Sequence, residues 1–238
     1  MRAEFAFAQA RMQARHGGRL PEGDWKMLDG AQSASLYLDR ARASSLKRFL
    51  GKVTPALSSV GIERALREEA RAYAREIAAW TPSRWRPAIE WLGVLPLLPL
   101  VRHAEAGVEP LVKEAGTQTF AALVERARAA EPAGIAAAWV EDWRAFWPRD
   151  SKAASDRDQL VATAGRLLGP LAASGKQGGA AGGRPGLEPL LVRAFRQHAA
   201  TPVAAIAHVG LALLDLERLR GGLVRRVLFG QEDERQAA

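Results

Sequence analysis

The longest helical pattern in the chain covers residues 201–229. Its apolar positions recur at steps of three and four, which keeps one face of a helix continuously apolar. Thr201 suits the N-cap and Pro202 the first helical turn, whereas Gly221 and Gly222 form the one weak point. A helix of this length needs several other elements to bury its apolar face. The apolar positions are Ile206, Val209, Leu213, Leu216, Leu219, Leu223 and Val227.

A second apolar stripe follows helical spacing over residues 62–80. Glycine or proline separates it from further helical patterns, and no segment shows the alternation of apolar and polar residues that is typical of strands. The sequence therefore predicts an all-α fold, a multi-helix bundle. The further helical patterns cover residues 4–15, 82–92, 117–130, 132–147, 156–168 and 187–200.

Composition excludes several classes of site and segment. The absence of cysteine excludes disulfides and thiolate zinc sites, and the four histidines are well separated in sequence. The apolar stretches at 91–101 and 199–214 are shorter than the roughly 20 residues that a membrane span needs. Charged residues interrupt the N-terminal segment, so no export signal is expected. We therefore expect a soluble protein, or one that is attached to a membrane only through another protein.

The chain carries a net charge of +8, and arginine accounts for 28 of its 34 basic residues. These arginines are spread along the chain and interleaved with acids, as GC-rich coding would produce. Net charge does favour acidic partners, so an arginine-rich nucleic-acid binder is one alternative function. We expect no specific nucleic acid, because no focused basic module is present.

No pattern of residues points to catalysis or to a cofactor. Capping and solvation explain the neighbouring acids Glu141 and Asp142 better than acid–base chemistry does. His208 is flanked by apolar residues and is expected to pack in the core. The glycine-rich stretch 175–186 predicts a flexible loop and lacks the spacing of a phosphate-binding loop. We therefore predict a protein that is not an enzyme and holds no metal or cofactor.

Aromatic residues cluster at helical spacing at positions 139–147, where Trp139, Trp143, Phe146 and Trp147 share neighbouring turns. Such clusters are more often core than binding sites. The alternative is that this face binds a partner, which would make the chain a helical protein–protein adaptor or regulator.

Two segments carry a resemblance to a known family. Glu217, then Leu219 and Arg220, precede a basic and apolar stretch at 224–228, and residues 7–14 combine aromatic, small and arginine side chains. These segments, and the order of the helices between them, resemble the C subunit of A- and V-type rotary ATPases, which is called d in the eukaryotic complexes.

The resemblance implies a domain organisation of pseudo-repeated helical units around a central funnel. Residues 1–105 would form the N-terminal helical repeat, 106–174 a reduced middle helical segment, and 187–230 the C-terminal segment with the long helix. The middle is called reduced because the chain is shorter than is usual in the family. The polar residues 231–238 are expected to form a disordered tail.

The resemblance also implies a function. Members of the family are non-catalytic coupling subunits that link the central stalk to the membrane rotor ring on the cytoplasmic face and so serve ion transport, including proton transport. The partners would be the central-stalk subunits and the rotor ring. For the contact surface we predict five charged residues near the end of the long helix, Glu217, Arg218, Arg220, Arg225 and Arg226.

Overall fold

The computed structural model describes residues 3–103, 109–129, 134–149, 165 and 186–236. Within these ranges the chain is helical and contains no β-strand, which confirms the all-α multi-helix fold. The predicted helix at 156–168 and the predicted loop at 175–186 lie outside the described residues, apart from Gly165 and Gly186. The α-helices are α1 (Ala6–Gly17), α2 (Glu22–Asp29), α3 (Ala34–Arg42), α4 (Ser59–Trp80), α5 (Arg86–Glu90), α6 (Leu98–His103), α7 (Glu109–Ala115), α8 (Gln118–Ala129), α9 (Gly134–Ala145), α10 (Leu187–Gln197) and α11 (Pro202–Gln236).

Helix α11 is the axis of the fold. Its 35 residues give it a length of about 52 Å, and it packs against α1, α3, α4, α5 and α10. Residues 202–216 are buried on every side rather than along one face. Alanine and glycine on the remaining sides of this stretch let neighbouring helices approach closely, so its first half is a central helix of the bundle.

The far end of α11 differs from the sequence expectation. The helix continues through Gln236, whereas residues 231–238 were expected to be a disordered tail. Glutamine, glutamate and arginine are good helix formers, and no glycine or proline after Gly230 ends the helix. Residues 237 and 238 lie outside the described ranges.

Helix α4 is the second long element, and a serine caps its first turn. The Ser58 hydroxyl accepts a hydrogen bond from the Gly61 backbone N–H at 3.2 Å, and Ser33 caps α3 through the Leu36 N–H in the same way. Helix α4 packs along α11 and also against the 3-10 helix Trp91–Leu97. A Cβ on Gly93 would lie 3.0 Å from the Arg71 Cα, so glycine permits this close approach.

The tryptophans predicted as a cluster lie in the core. Trp139 and Trp143 have no exposed surface, Trp147 is almost fully buried, and each ring packs against the next. This burial confirms the core interpretation and is incompatible with these rings forming a partner-binding surface. One hydrophobic core joins residues from the three segments that the sequence distinguished, 1–105, 106–174 and 187–230.

Candidate protein-binding groove

The five residues predicted as a contact surface fall into different environments. Arg226 is buried, with 7% of its surface exposed, and donates hydrogen bonds to the backbone carbonyls of Ala31, Gly222 and Asp29. Burial and the neighbouring charge of Arg225 lower the pKa of Arg226. Arg226 therefore holds the end of α11 against the loop between α2 and α3, so it is not available as a surface contact.

Arg218 and Arg220 both form ion pairs within the chain. Arg218 contacts Glu22 at 2.6 Å and Asp29 at 3.0 Å, and its guanidinium lies over the Trp25 ring. Arg220 contacts Glu63 of α4 at 2.8 Å. These pairs tie α11 to α2 and α4. Arg225, in contrast, is exposed.

Glu217 and Arg220 share a feature that the sequence did not reveal. Both line a groove of about 140 Å³ between α4, α11 and the chain segment of residues 95–100. The groove is apolar except at its rim, which carries Glu63 and Arg67 in addition to Glu217 and Arg220. Its apolar lining consists of Leu66, Ala70, Leu95, Pro96, Pro99, Leu100, Leu213 and Leu216.

The walls of the groove are held by ion pairs. Arg67 and Arg71 of α4 both contact Glu114 of α7 at 3.0 Å, and Glu63 bridges to Arg220 across the groove. Although burial disfavours its charge, Glu114 accepts hydrogen bonds from both arginines, and these lower its pKa. An apolar floor between fixed walls suits the binding of an apolar side chain.

A polar cluster lies elsewhere along α11. His208 is 2% exposed, and its Nε2 lies 2.8 Å from the Tyr73 Oη. About two turns further on, Asp215 is buried and receives two hydrogen bonds from Arg19, at 2.9 and 2.7 Å. The sequence predicted the packing of His208 in the core. The burial of Asp215 could not be predicted in the same way, because its partner Arg19 comes from a distant part of the chain.

The cavity at this cluster is small. Its volume is about 20 Å³, which is room for a single water molecule. Arg15, Arg19 and Arg48 are among its lining residues, together with His208 and Asp215. The arrangement is best explained as an ion-pair and hydrogen-bond network that joins α1, α4 and α11.

The buried histidine predicts a pH dependence of stability. Burial, and then the positive charges of His16 and Arg15, lower the pKa of His208 to about 3. Because the unfolded histidine takes up a proton near pH 6.5 and the folded one does not, acidification favours the unfolded state. We expect this group to lower the free energy of unfolding by about 2 kcal/mol between pH 7 and pH 5.

Denaturant unfolding of the wild type and of His208→Gln at the two pH values measures this effect. His16, whose pKa is also lowered, is present in both proteins and serves as a common background. The fall should be about 2 kcal/mol smaller in His208→Gln. Equal falls in the two proteins would contradict the assignment.

Metal binding and membrane insertion find no support in the part of the chain that the structure describes. No group of three or more histidine, aspartate or glutamate side chains there is arranged to hold a metal ion. No helix in the described ranges combines the length and apolar character needed to cross a bilayer.

The sequence contained one signal for the groove that could have been used. Pro96 and Pro99 interrupt an otherwise apolar stretch, and both line the groove. Comparisons with known proteins add no assignment, because no family model, curated protein or solved structure matches this chain.

Proposed function

We propose that this chain is a non-catalytic coupling subunit of a V- or A-type rotary ATPase that binds a central-stalk subunit through the groove. The observation that carries the proposal is the apolar groove beside α11, which holds Glu217 and Arg220 at its rim. These are two of the residues on which the resemblance to the C subunit family rests. The occupant of the groove would be a large apolar side chain of the stalk subunit.

The architecture supports a mechanical role. A helix of 35 residues with internal backbone hydrogen bonds passes through the bundle, and its first half is packed on all sides. Close packing of this kind resists shear, so a force applied at the groove would reach α1, α3 and α10 through α11. Coupling subunits must transmit torque in this way. We place the protein on the cytoplasmic face of the rotor ring, with indirect membrane contact and a role in ion transport.

An adaptor unrelated to ATPases is the second candidate function. The same groove favours it, because an apolar groove with a charged rim would serve any protein partner. A nucleic-acid binder has less support, since many arginines are engaged by acids of the same chain. Arg15 pairs with Glu76, and Arg19 pairs with both Asp215 and Glu188.

Affinity purification of the tagged protein from gently solubilised membranes tests the proposal, with mass spectrometry of the proteins that accompany it. We expect stalk and ring subunits of a rotary ATPase. Recovery of none of them, from cells that express such an ATPase, would favour the adaptor. Steeply salt-dependent binding of RNA or DNA would instead favour the nucleic-acid alternative.

A further inference from the structure

The charged residues at the rim of the groove differ in whether they have an ion-pair partner among the described residues. Glu63 contacts Arg220, and Arg67 contacts Glu114, so these charges are compensated within the chain. Glu217 lines the same groove, is half-buried, and has no hydrogen bond or ion pair with any described residue. Among the described residues, Glu217 is therefore the one rim charge that has no ion-pair partner, and it lies next to an apolar cavity.

The size of the cavity limits what it can accept. Apolar cavities of roughly 150 Å³ can hold a benzene ring, so 140 Å³ is enough for one leucine or phenylalanine side chain. A helix that places such a side chain in the groove also brings residues three or four positions away close to the rim. Those residues lie about 5–6 Å from the apolar side chain along the partner helix.

We propose that the partner of this groove is an amphipathic helix that inserts one large apolar side chain and places a lysine or arginine, one turn away, against Glu217. Docking would remove water from Glu217, and a charge that loses water without a partner is costly. A basic residue offsets that cost, whereas an acidic residue adds repulsion. Glu217 thus selects partners by charge, and the apolar floor supplies the contact area.

This inference specifies the partner chemistry of the groove and rests on the proposed function only in taking the groove as a binding site. It does not require the partner to belong to a rotary ATPase. A failed recovery of ATPase subunits would remove the proposed assembly but leave the charge selectivity of the groove to be tested separately.

The test uses the full chain and two synthetic helical peptides. Both carry one leucine as the apolar side chain, and they differ only in having lysine or glutamate four positions away. Leucine methyl NMR of the protein follows each titration at low salt, where charge effects are largest. We expect the lysine peptide to shift the methyl signals of Leu66, Leu213 and Leu216, and to bind about tenfold more tightly than the glutamate peptide.

Two variants test whether Glu217 causes the preference for lysine and whether the peptides bind in the groove. In Glu217→Gln we expect the preference for lysine to fall to less than about threefold, with the leucine shifts retained, because only the charge is removed. In Ala70→Leu the added side chain occupies the groove, so the shifts should disappear while the melting temperature is preserved. Ala79→Leu, an exposed position of the same helix, is the matched control and should bind as the wild type does.

Each result of the peptide titrations either supports or overturns the proposed selectivity. Equal affinity for the two peptides, or a lysine preference that survives in Glu217→Gln, would overturn the charge selectivity. Absence of groove shifts with either peptide would overturn the inference altogether. A lysine preference in the wild type that is lost in Glu217→Gln supports it, whichever proteins the affinity purification recovers.

Discussion

Replacing Trp143 with alanine is expected to lower the free energy of unfolding by about 3–5 kcal/mol, the largest effect of any single substitution considered for this protein. The ring has no exposed surface and stacks on Trp139 with ring centroids 5.3 Å apart. Its Nε1 donates a hydrogen bond to the Ala88 carbonyl at 2.8 Å, which links α9 to α5. The substitution leaves a large cavity and removes the hydrogen bond to the Ala88 carbonyl.

Equilibrium unfolding in denaturant measures the effect, and Trp143→Phe is the control for a variant too unstable to study. Phenylalanine keeps most of the buried area and loses the hydrogen bond, so we expect a smaller loss of about 1–2 kcal/mol. A Trp143→Ala protein with normal stability and lost partner binding would instead identify this face as an interface.

The two adjacent glycines of α11 are expected to respond in opposite directions to alanine. A Cβ on Gly222 would lie 2.5 Å from the Tyr37 Cζ and closer still to its hydroxyl oxygen. Tyr37 is fully buried and its ring stacks under the Arg226 guanidinium, so it has little room to move. We expect Gly222→Ala to lower the free energy of unfolding by about 2–3 kcal/mol, even after the gain in helix propensity.

Gly221→Ala is the matched control. No atom lies within 4 Å of a Cβ at Gly221, so only the helix propensity changes there. We expect a gain of up to about 1 kcal/mol. Thermal and denaturant unfolding measure the change in stability of both variants. Stabilisation by both alanines would contradict the packing described for Tyr37.

The elements that local patterns could predict are those in which one face is apolar or one side chain caps a helix. The stripe on α4, the caps at Ser33 and Ser58, and the burial of Trp139 and Trp143 all follow from spacing along a single helix. Each depends on residues a few positions apart, which the sequence displays directly.

The features that the sequence could not predict depend on residues far apart in the chain. Asp215 can be buried because Arg19 forms a hydrogen-bonded ion pair with it. Arg226 can be buried because it donates hydrogen bonds to backbone carbonyls at the end of α2 and in the loop that follows. Gly222 reads as a weak point of the helix until Tyr37 of α3 is seen to occupy the space beside it. The groove also was missed, because three separate segments of the chain form it.

Affinity purification with a blocked groove is the most direct test of the coupling function. Tagged wild type, Ala70→Leu and Ala79→Leu proteins would be recovered from gently solubilised membranes, and rotary-ATPase stalk subunits would be quantified by mass spectrometry. The proposal predicts stalk subunits with the wild type and Ala79→Leu, and their loss with an Ala70→Leu protein of unchanged melting temperature. Equal recovery with all three proteins, or no stalk subunits with the wild type, would contradict it.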